Sequence, residues 1–244
     1  MRIYGLIGFP LAHSFSQKYF TEKFQREGIT DCKYEVYPIQ SVYEITDLLK
    51  SNPNLLGLNI TIPYKQLVLR HLSSSKIPGG LRACNCIKIM EGNLIGYNTD
   101  VLGFERSFLP HLKNYHTNAL ILGNGGATEA VKFVLQKLNI SYKIVSRKIH
   151  DDSDLTYQDL DEKIMDENKI IINTTPLGTF PNIDDCPEIP YRFLTLQHFL
   201  YDLVYNPEKT LFLQKGEACG ASIKNGYEML ILQAEESWRI WNED

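Results

Sequence analysis

The chain has 244 residues, a length that suits one large domain or two modest ones. Its residues are 43% hydrophobic and 22% charged, as in a packed soluble protein. The formal net charge of -4, without a basic block, argues against a nucleic-acid or anionic-membrane surface. No apolar run reaches the roughly 18 to 20 residues that span a bilayer, and "MRIYGLIGFPLAHS" is too short and polar for a signal peptide, so a cytoplasmic location is expected.

Strand and helix patterns alternate from the start. "RIYGLIG" reads as a strand, residues 16–27 as a helix with apolar Tyr19, Phe20 and Phe24, "KYEVYPI" as a strand and "VYEITDLLKS" as a helix. "LLGLNITI" follows as a third strand, then a helix through Leu67, Val68 and Leu72; this rhythm predicts a parallel sheet with helices on its faces. It breaks at "NCIKIMEGNLIGYNTD", where two short runs flank the hairpin chemistry of Glu91-Gly92-Asn93. A helix over 101–112 leads into a second α/β half, with "NALILG", "YKIVS", "KIIINT" and "HFLYDL" as strands. The turn-rich "PLGTFPNIDDCPEIP" reads as a surface loop. Cys32, Cys84, Cys86, Cys186 and Cys219 are odd in number and lack CxxC spacing. They read as free thiols in a reducing compartment, with no metal site expected.

Two stretches carry chemistry. In "NALILGNGGATEAVKFVLQKL" an apolar strand runs into Gly123-Asn124-Gly125-Gly126-Ala127 and then an amphipathic helix, the arrangement that holds a pyrophosphate on backbone N–H groups. Thr128 stands where a third glycine is usual, and the turn by itself fits a nucleotide site or a plain tight turn equally. The next strand ends in Ser146-Arg147-Lys148, with no carboxylate before Asp151. A guanidinium beside an ammonium suits the extra phosphate of NADP better than the ribose hydroxyls of NAD. The other stretch is "GLNITIPYKQ", in which Leu58, Ile60 and Ile62 alternate with Asn59 and Thr61 before Pro63 and Lys65, an unusual polar set for the end of a scaffold strand.

With these residues in place, the chain resembles the shikimate dehydrogenase family over nearly its whole length. The matching motifs, in the family's order, are "GFPLAHSFS", "NITIPYK", "ACNCI", "GYNTDVLGF", "LGNGGA", "INTTPLG", "DLVYNPEKT" and "NGYEMLILQA". The resemblance implies an N-terminal α/β substrate domain and a Rossmann-like NADP-binding domain separated by a cleft. The expected boundaries are a catalytic domain over 1–101, a cofactor domain over 102–224 and a C-terminal helix over 225–244 packing back on the substrate domain. It implies reduction of 3-dehydroshikimate to shikimate with NADPH, on the route to aromatic amino acids. The expected partners are this small molecule and NADP alone, with a monomer or homodimer as the assembly.

The family's substrate positions fall on Ser14, Ser16, Asn59, Thr61, Lys65, Asn85, Asp100, Tyr205 and Gln233, with Lys65 and Asp100 as the catalytic pair. Its cofactor positions fall on Gly123, Asn124, Gly125, Gly126, Ala127, Ser146, Arg147, Lys148, Thr174, Leu203 and Gly226. The chain departs from the family pattern at Gln17 and at Phe20-Thr21 on the first helix. It also departs at Ser146 and Lys148 around the arginine, and at Thr179 and Leu203-Val204, where the family often carries methionine.

The chemistry suits the residue types. Shikimate has one carboxylate and three hydroxyls, so its site needs hydroxyls and amides more than apolar surface. Ser14 and Ser16, two apart, point the same way on an extended stretch and could grip the carboxylate, or could cap the helix that starts there. Ketone reduction needs a charge stabiliser and a proton at the oxygen. An ordinary ammonium is a reluctant acid at neutral pH, so Lys65 is read as stabiliser and proton relay, with Asp100 orienting it and a substrate hydroxyl. Asp100 could instead cap the helix after it. Gln233, on an apolar stripe of the last helix, needs a partner, either the substrate or a packed backbone group. A Cβ at Gly226 is expected to crowd the nicotinamide. A quinate/shikimate dehydrogenase of broader range and a non-catalytic cofactor-binding sensor are the competing readings.

Overall fold

In the computed structural model, residues 1–11, 15–149 and 153–243 are described. The chain divides into two compact units, Met1–Thr99 with Gln233–Asp244, and Asp100–Leu232.

The first unit is built from β1 (Arg2–Ile7), α1 (Phe15–Arg26), β2 (Cys32–Tyr37), α2 (Ile45–Ser51), β3 (Leu55–Ile60), α3 (Tyr64–Leu67), β4 (Ser74–Ser75), β5 (Cys86–Met90) and β6 (Asn93–Tyr97). Its sheet runs in the order β2-β1-β3-β5-β6-β4. The expected parallel pattern holds for β2, β1 and β3, whereas β5 pairs antiparallel with both β3 and β6. The hairpin at Glu91-Gly92 therefore makes this a mixed sheet, and both turn residues have positive φ, as a two-residue turn requires. The helix expected after β3 is one α-helical turn that tightens into a 3₁₀ turn over Val68–His71.

The second unit begins with α4 (Asp100–Phe108). It continues with β7 (Asn118–Leu122), α5 (Thr128–Lys137), β8 (Ser141–Ser146), β9 (Leu155–Thr156), α6 (Glu162–Glu167), β10 (Ile170–Asn173), β11 (Phe199–Asp202), α7 (Leu211–Ala218) and β12 (Ser222–Lys224). All its described strand pairs are parallel, in the order β12-β11-β10-β7-β8-β9. That is the doubly wound dinucleotide-binding order, with its switch point between β7 and β10. The central strands read as unbroken apolar runs, as sheets covered on both faces do; Leu120, Ile121, Leu122, Ile170, Ile171 and Ile172 are all fully buried.

The last helix, α8 (Tyr227–Asn242), spans both units: its first residues belong to the second and the rest to the first. In the first unit it packs aromatic side chains on the sheet. Tyr4 stacks on Trp241 with ring centroids 4.9 Å apart and meets Trp238 edge-on at 5.3 Å. The Trp241 indole lies against Gly57, where a Cβ would come within 2.3 Å of Nε1, and that nitrogen donates to the Ile87 carbonyl at 3.0 Å. Only glycine leaves room for the indole on β3.

Candidate active site

In the first unit the polar residues of "NITIPYK", "ACNCI" and α8 meet in one buried network. Asn59, at the end of β3, accepts from the Tyr34 hydroxyl at 2.8 Å through Oδ1. Its Nδ2 donates to Ser237 Oγ at 3.0 Å and to the Asn85 carbonyl at 3.3 Å. Asn85 closes a ring with Thr99: its Oδ1 accepts from the Thr99 N–H at 2.6 Å and its Nδ2 donates to Thr99 Oγ1 at 3.0 Å. Gln233 Oε1 lies 3.4 Å from Thr99 Oγ1 and 3.5 Å from Asn85 Nδ2, and Ser237 Oγ donates to the Gln233 carbonyl at 2.9 Å. Burial raises the Tyr34 hydroxyl pKa well above its ordinary value, while a hydrogen bond with Ser16 works the other way.

Asn59, Asn85, Gln233 and Ser16 are drawn together through Tyr34, Thr99 and Ser237, which sequence reasoning did not single out. Ser237 follows Gln233 by one helical turn on the same face, so its position was open to a periodicity argument. Gln233 meets protein groups in this network.

The next described candidates lie just after β3 or in helices. Thr61 follows β3, donating its N–H to the Ile7 carbonyl at 3.0 Å and accepting from the Tyr64 N–H at 2.9 Å. Lys65 lies in α3, half-buried, and its carbonyl accepts from the Cys84 N–H at 2.8 Å. Ser16 is the second residue of α1, inside the helix rather than capping it. Ser14 lies outside the described residues. Asp100 opens α4 in the second unit and is buried; it is a helical residue, not the cap before the helix.

The glycine turn sits where the topology favours a dinucleotide, after β7 and beside the end of β10. Gly123 has φ +100, which a side chain would strain, and a Cβ there would come within 2.6 Å of Thr175. No described atom lies within 4 Å of a Cβ placed at Gly125 or Gly126, so this backbone is open to a ligand. Thr128, in place of the third glycine, holds the turn: its hydroxyl accepts from the Gly125 N–H at 3.1 Å and lies 2.9 Å from Thr174 Oγ1. Thr174 in turn donates to the Leu122 carbonyl at 2.8 Å. Asn124 and Ala127 complete the turn, with Ala127 at the N-terminus of α5.

A cavity of about 1020 Å³ opens here, lined by Gly123, Asn124, Gly125, Ser146, Arg147, Lys148 and Thr174. These cofactor candidates come from three separate motifs and share one space. The Ser146 hydroxyl turns back to the Lys148 carbonyl, and the Arg147 and Lys148 side chains are exposed. The cavity is also lined by Tyr157, Thr175, Pro176, Leu177, Asp185, Cys186 and Glu188, none of them among the cofactor candidates read from sequence. The stretch read as a surface loop is therefore a wall of the site.

A buried hydrogen-bonded set fixes that wall. Asn173 and Asp202 are register partners at the ends of β10 and β11, and Asn173 Nδ2 donates to Asp202 Oδ1 at 2.9 Å. Asn173 Oδ1 accepts from the Thr175 hydroxyl at 2.6 Å, and Asp202 Oδ2 accepts from the Thr210 hydroxyl at 2.5 Å. Burial pushes the Asp202 carboxyl up to about 6, against these donors, which favour the carboxylate.

Leu203 and Gly226 are brought into contact with each other. A Cβ at Gly226 would come within 2.2 Å of the Leu203 carbonyl oxygen, and the Gly226 N–H donates to the Val204 carbonyl at 3.2 Å. The first group a side chain at 226 would strike is thus protein backbone. Tyr205 follows, half-buried, with burial raising its hydroxyl pKa.

A doubly wound parallel unit with a glycine turn, an open backbone cradle and an Arg-Lys pair defines a dinucleotide-binding protein. Here it is joined to a second α/β unit that carries a buried amide and hydroxyl network. The family model "Shikimate dehydrogenase substrate binding domain" matches residues 6–87. The chain is 35% identical to the shikimate dehydrogenase (NADP(+)) of Clostridium beijerinckii, with 100% of this chain and 93% of the relative covered. It is 31% identical to that of Desulforamulus reducens, with 98% and 89% covered. Among solved structures, the shikimate 5-dehydrogenase of Thermus thermophilus in complex with NADP(H) and shikimate matches with a TM-score of 0.86 at 26% identity, covering 99% of this chain and 94% of that one. The chain belongs to the shikimate dehydrogenase family.

Proposed function

We propose that this protein is an NADP-dependent oxidoreductase that interconverts 3-dehydroshikimate and shikimate in the cytoplasm, on the route to aromatic amino acids. The observation that carries the reading is similarity along the whole chain to enzymes of that name, with Lys65 and Asp100 both in place. NADP fits the residues present: the open backbone at Gly125 and Gly126 suits a pyrophosphate, and Arg147 with Lys148 suits a third phosphate. When bound, the cofactor supplies hydride to the carbonyl carbon.

The chain's own residues do the rest. The Lys65 ammonium stabilises negative charge at the reacting oxygen and passes a proton to it, while Asp100 orients that ammonium and a ring hydroxyl. Asn59, Thr61, Asn85, Tyr205 and Gln233 serve the ring hydroxyls, and Ser14 and Ser16 the carboxylate. The network around Asn59 and Asn85 supports this assignment, because side chains already fixed by Tyr34, Thr99 and Ser237 lose little freedom on binding.

The test is to mix protein, shikimate and NADP and follow the absorbance of the reduced cofactor, with quinate and NAD in parallel. Shikimate-dependent reduction of NADP is the expected result. Binding without reduction would point to a sensor, and equal rates with quinate to a broader enzyme. In the same assay Lys65→Ala should turn over at least about a hundredfold more slowly while still binding NADP. An unimpaired Lys65→Ala variant would remove the lysine from the chemistry.

A further inference from the structure

The cavity beside the glycine turn carries charge of both signs. Arg147 and Lys148 line it from the end of β8, and Asp185 and Glu188 line it from the loop after β10. One side chain reports on both. Burial raises the Tyr157 hydroxyl pKa first, the Arg147 guanidinium lowers it and the Glu188 carboxylate raises it again. An arginine and a glutamate thus lie within electrostatic reach of a single phenol that also lines the cavity.

The acidic loop is held in place. The Tyr191 hydroxyl donates to the Pro187 carbonyl at 2.8 Å, and the Ile189 N–H donates to the same carbonyl at 3.0 Å. Lys215 Nζ lies 3.2 Å from Cys186 Sγ and 5.1 Å from the centre of the Tyr191 ring. Glu188 is flanked by these anchored residues, and Ile189 beside it is buried in the core of the unit. Its backbone therefore has little freedom to carry the carboxylate away from the cavity.

We propose that Glu188 is a specificity-determining residue whose carboxylate lowers this cavity's preference for a 2′-phosphorylated dinucleotide below what Arg147 and Lys148 alone would set. The inference rests on the NADP reading above. A 2′-phosphate brings a charge of about −1.5 to −2 into a space that already holds Glu188, so part of its attraction to Arg147 is cancelled. A 2′-hydroxyl brings no charge and can donate to a carboxylate, the interaction by which NAD-binding sites hold the ribose. In those sites the acid follows the second strand of the unit. Here that place holds Ser146-Arg147-Lys148, and another loop brings the acid to the same cavity.

The test is a titration of NADP and NAD against the whole protein, by quenching of its intrinsic fluorescence, for the unaltered chain, Glu188→Gln, Asp185→Asn and Arg147→Ala. Glu188→Gln should raise the ratio of NADP to NAD affinity by about three- to tenfold at low salt, and raising the ionic strength should shrink that gain. Arg147→Ala should move the ratio the other way. An unchanged ratio in Glu188→Gln, with NADP binding intact in the unaltered chain and weakened in Arg147→Ala, would overturn the role of Glu188 and leave the proposed function standing. A gain in Asp185→Asn but not in Glu188→Gln would overturn it as well. Failure of the unaltered chain to bind either dinucleotide would overturn both readings together.

Discussion

Tyr34 shows how much of the substrate unit depends on one hydroxyl. It donates to Asn59 Oδ1 at 2.8 Å and shares a hydrogen bond with Ser16, so it joins the first turn of α1 to the end of β3. Tyr34→Phe keeps the ring, which stacks on Phe20 at 4.6 Å, but leaves a buried amide oxygen without its donor. The expected cost is about 1–3 kcal/mol in urea unfolding, together with a raised KM for shikimate. A variant as stable as the unaltered chain would show that Asn59 is held by its other contacts. The same residue marks a limit of reading the sequence. Asn59 and Lys65 stood out as polar residues in and just after the apolar alternation of "GLNITIPYKQ", whereas Asn85 came only from the resemblance to the family. Tyr34, Thr99 and Ser237 fit their strand, loop and helix without any interruption, and only packing between distant segments gives them partners. Thr128 was legible as a missing glycine but not as the residue whose hydroxyl replaces one.

At the scale of elements, long periodic segments were legible and short ones were not. β1, β3, β7, β8, β10 and β11 each contain an apolar run and β2 alternates apolar with charged residues, whereas β9 and β12, with two and three residues, have too few to show a period. The loop after β10 read as surface because it is rich in turn residues and acids; its role as a cavity wall depends on Asn173, Asp202 and Thr210, which meet only in the fold. The docking of α8 rests on a charge as well as on aromatic rings. The Lys23 ammonium on α1 is buried and lies 2.8 Å from Glu235 on α8 and 2.9 Å from Glu27. Desolvation pulls its pKa down, but hydrogen bonds to Glu235 and Glu27 outweigh that and leave it raised. Glu235 also accepts from the Tyr19 hydroxyl. Because the ammonium is the buried partner, removing the carboxylate is the costlier change. Glu235→Ala should cost about 2–3 kcal/mol, and Lys23→Met, which removes the charge that needs a partner, about 1 kcal/mol or less. Chemical denaturation of both variants checks the order, and the reverse order would mean that Lys23 acts mainly through its packing.

The pH response of the whole molecule sums groups of opposite sign, and the second unit holds both kinds. His198 accepts from the Thr195 N–H at 2.9 Å through Nδ1 and faces the Met165 carbonyl at 2.9 Å through Nε2. His116 is placed likewise between the Lys113 N–H and the Gln197 carbonyl, each at 3.0 Å. Burial lowers both pKa values, so the fold favours the neutral imidazoles. Their contribution is complete above the unfolded value of about 6.5 and is lost as the pH falls below it, because the unfolded chain then binds more protons. Asp202 works in the opposite sense. Its carboxyl is pushed up to about 6 by burial, against an unfolded value near 3.9. Its contribution is complete below about 3.9 and is lost as the pH rises through about 6, because over that range the folded chain holds the extra proton. Between about pH 7 and pH 4 the gain at Asp202 therefore offsets part of the loss at the histidines, which flattens the profile. Asp202→Asn keeps an acceptor for Asn173 and the Val204 N–H and removes the titration. Relative to the unaltered chain, its thermal midpoint should be more favourable at pH 7.5 than at pH 4.5, and its own midpoint should fall more steeply on acidification. A difference between the two proteins that stays constant across this range would mean that Asp202 is ionised in the fold at an ordinary pKa, with its three donors prevailing over burial.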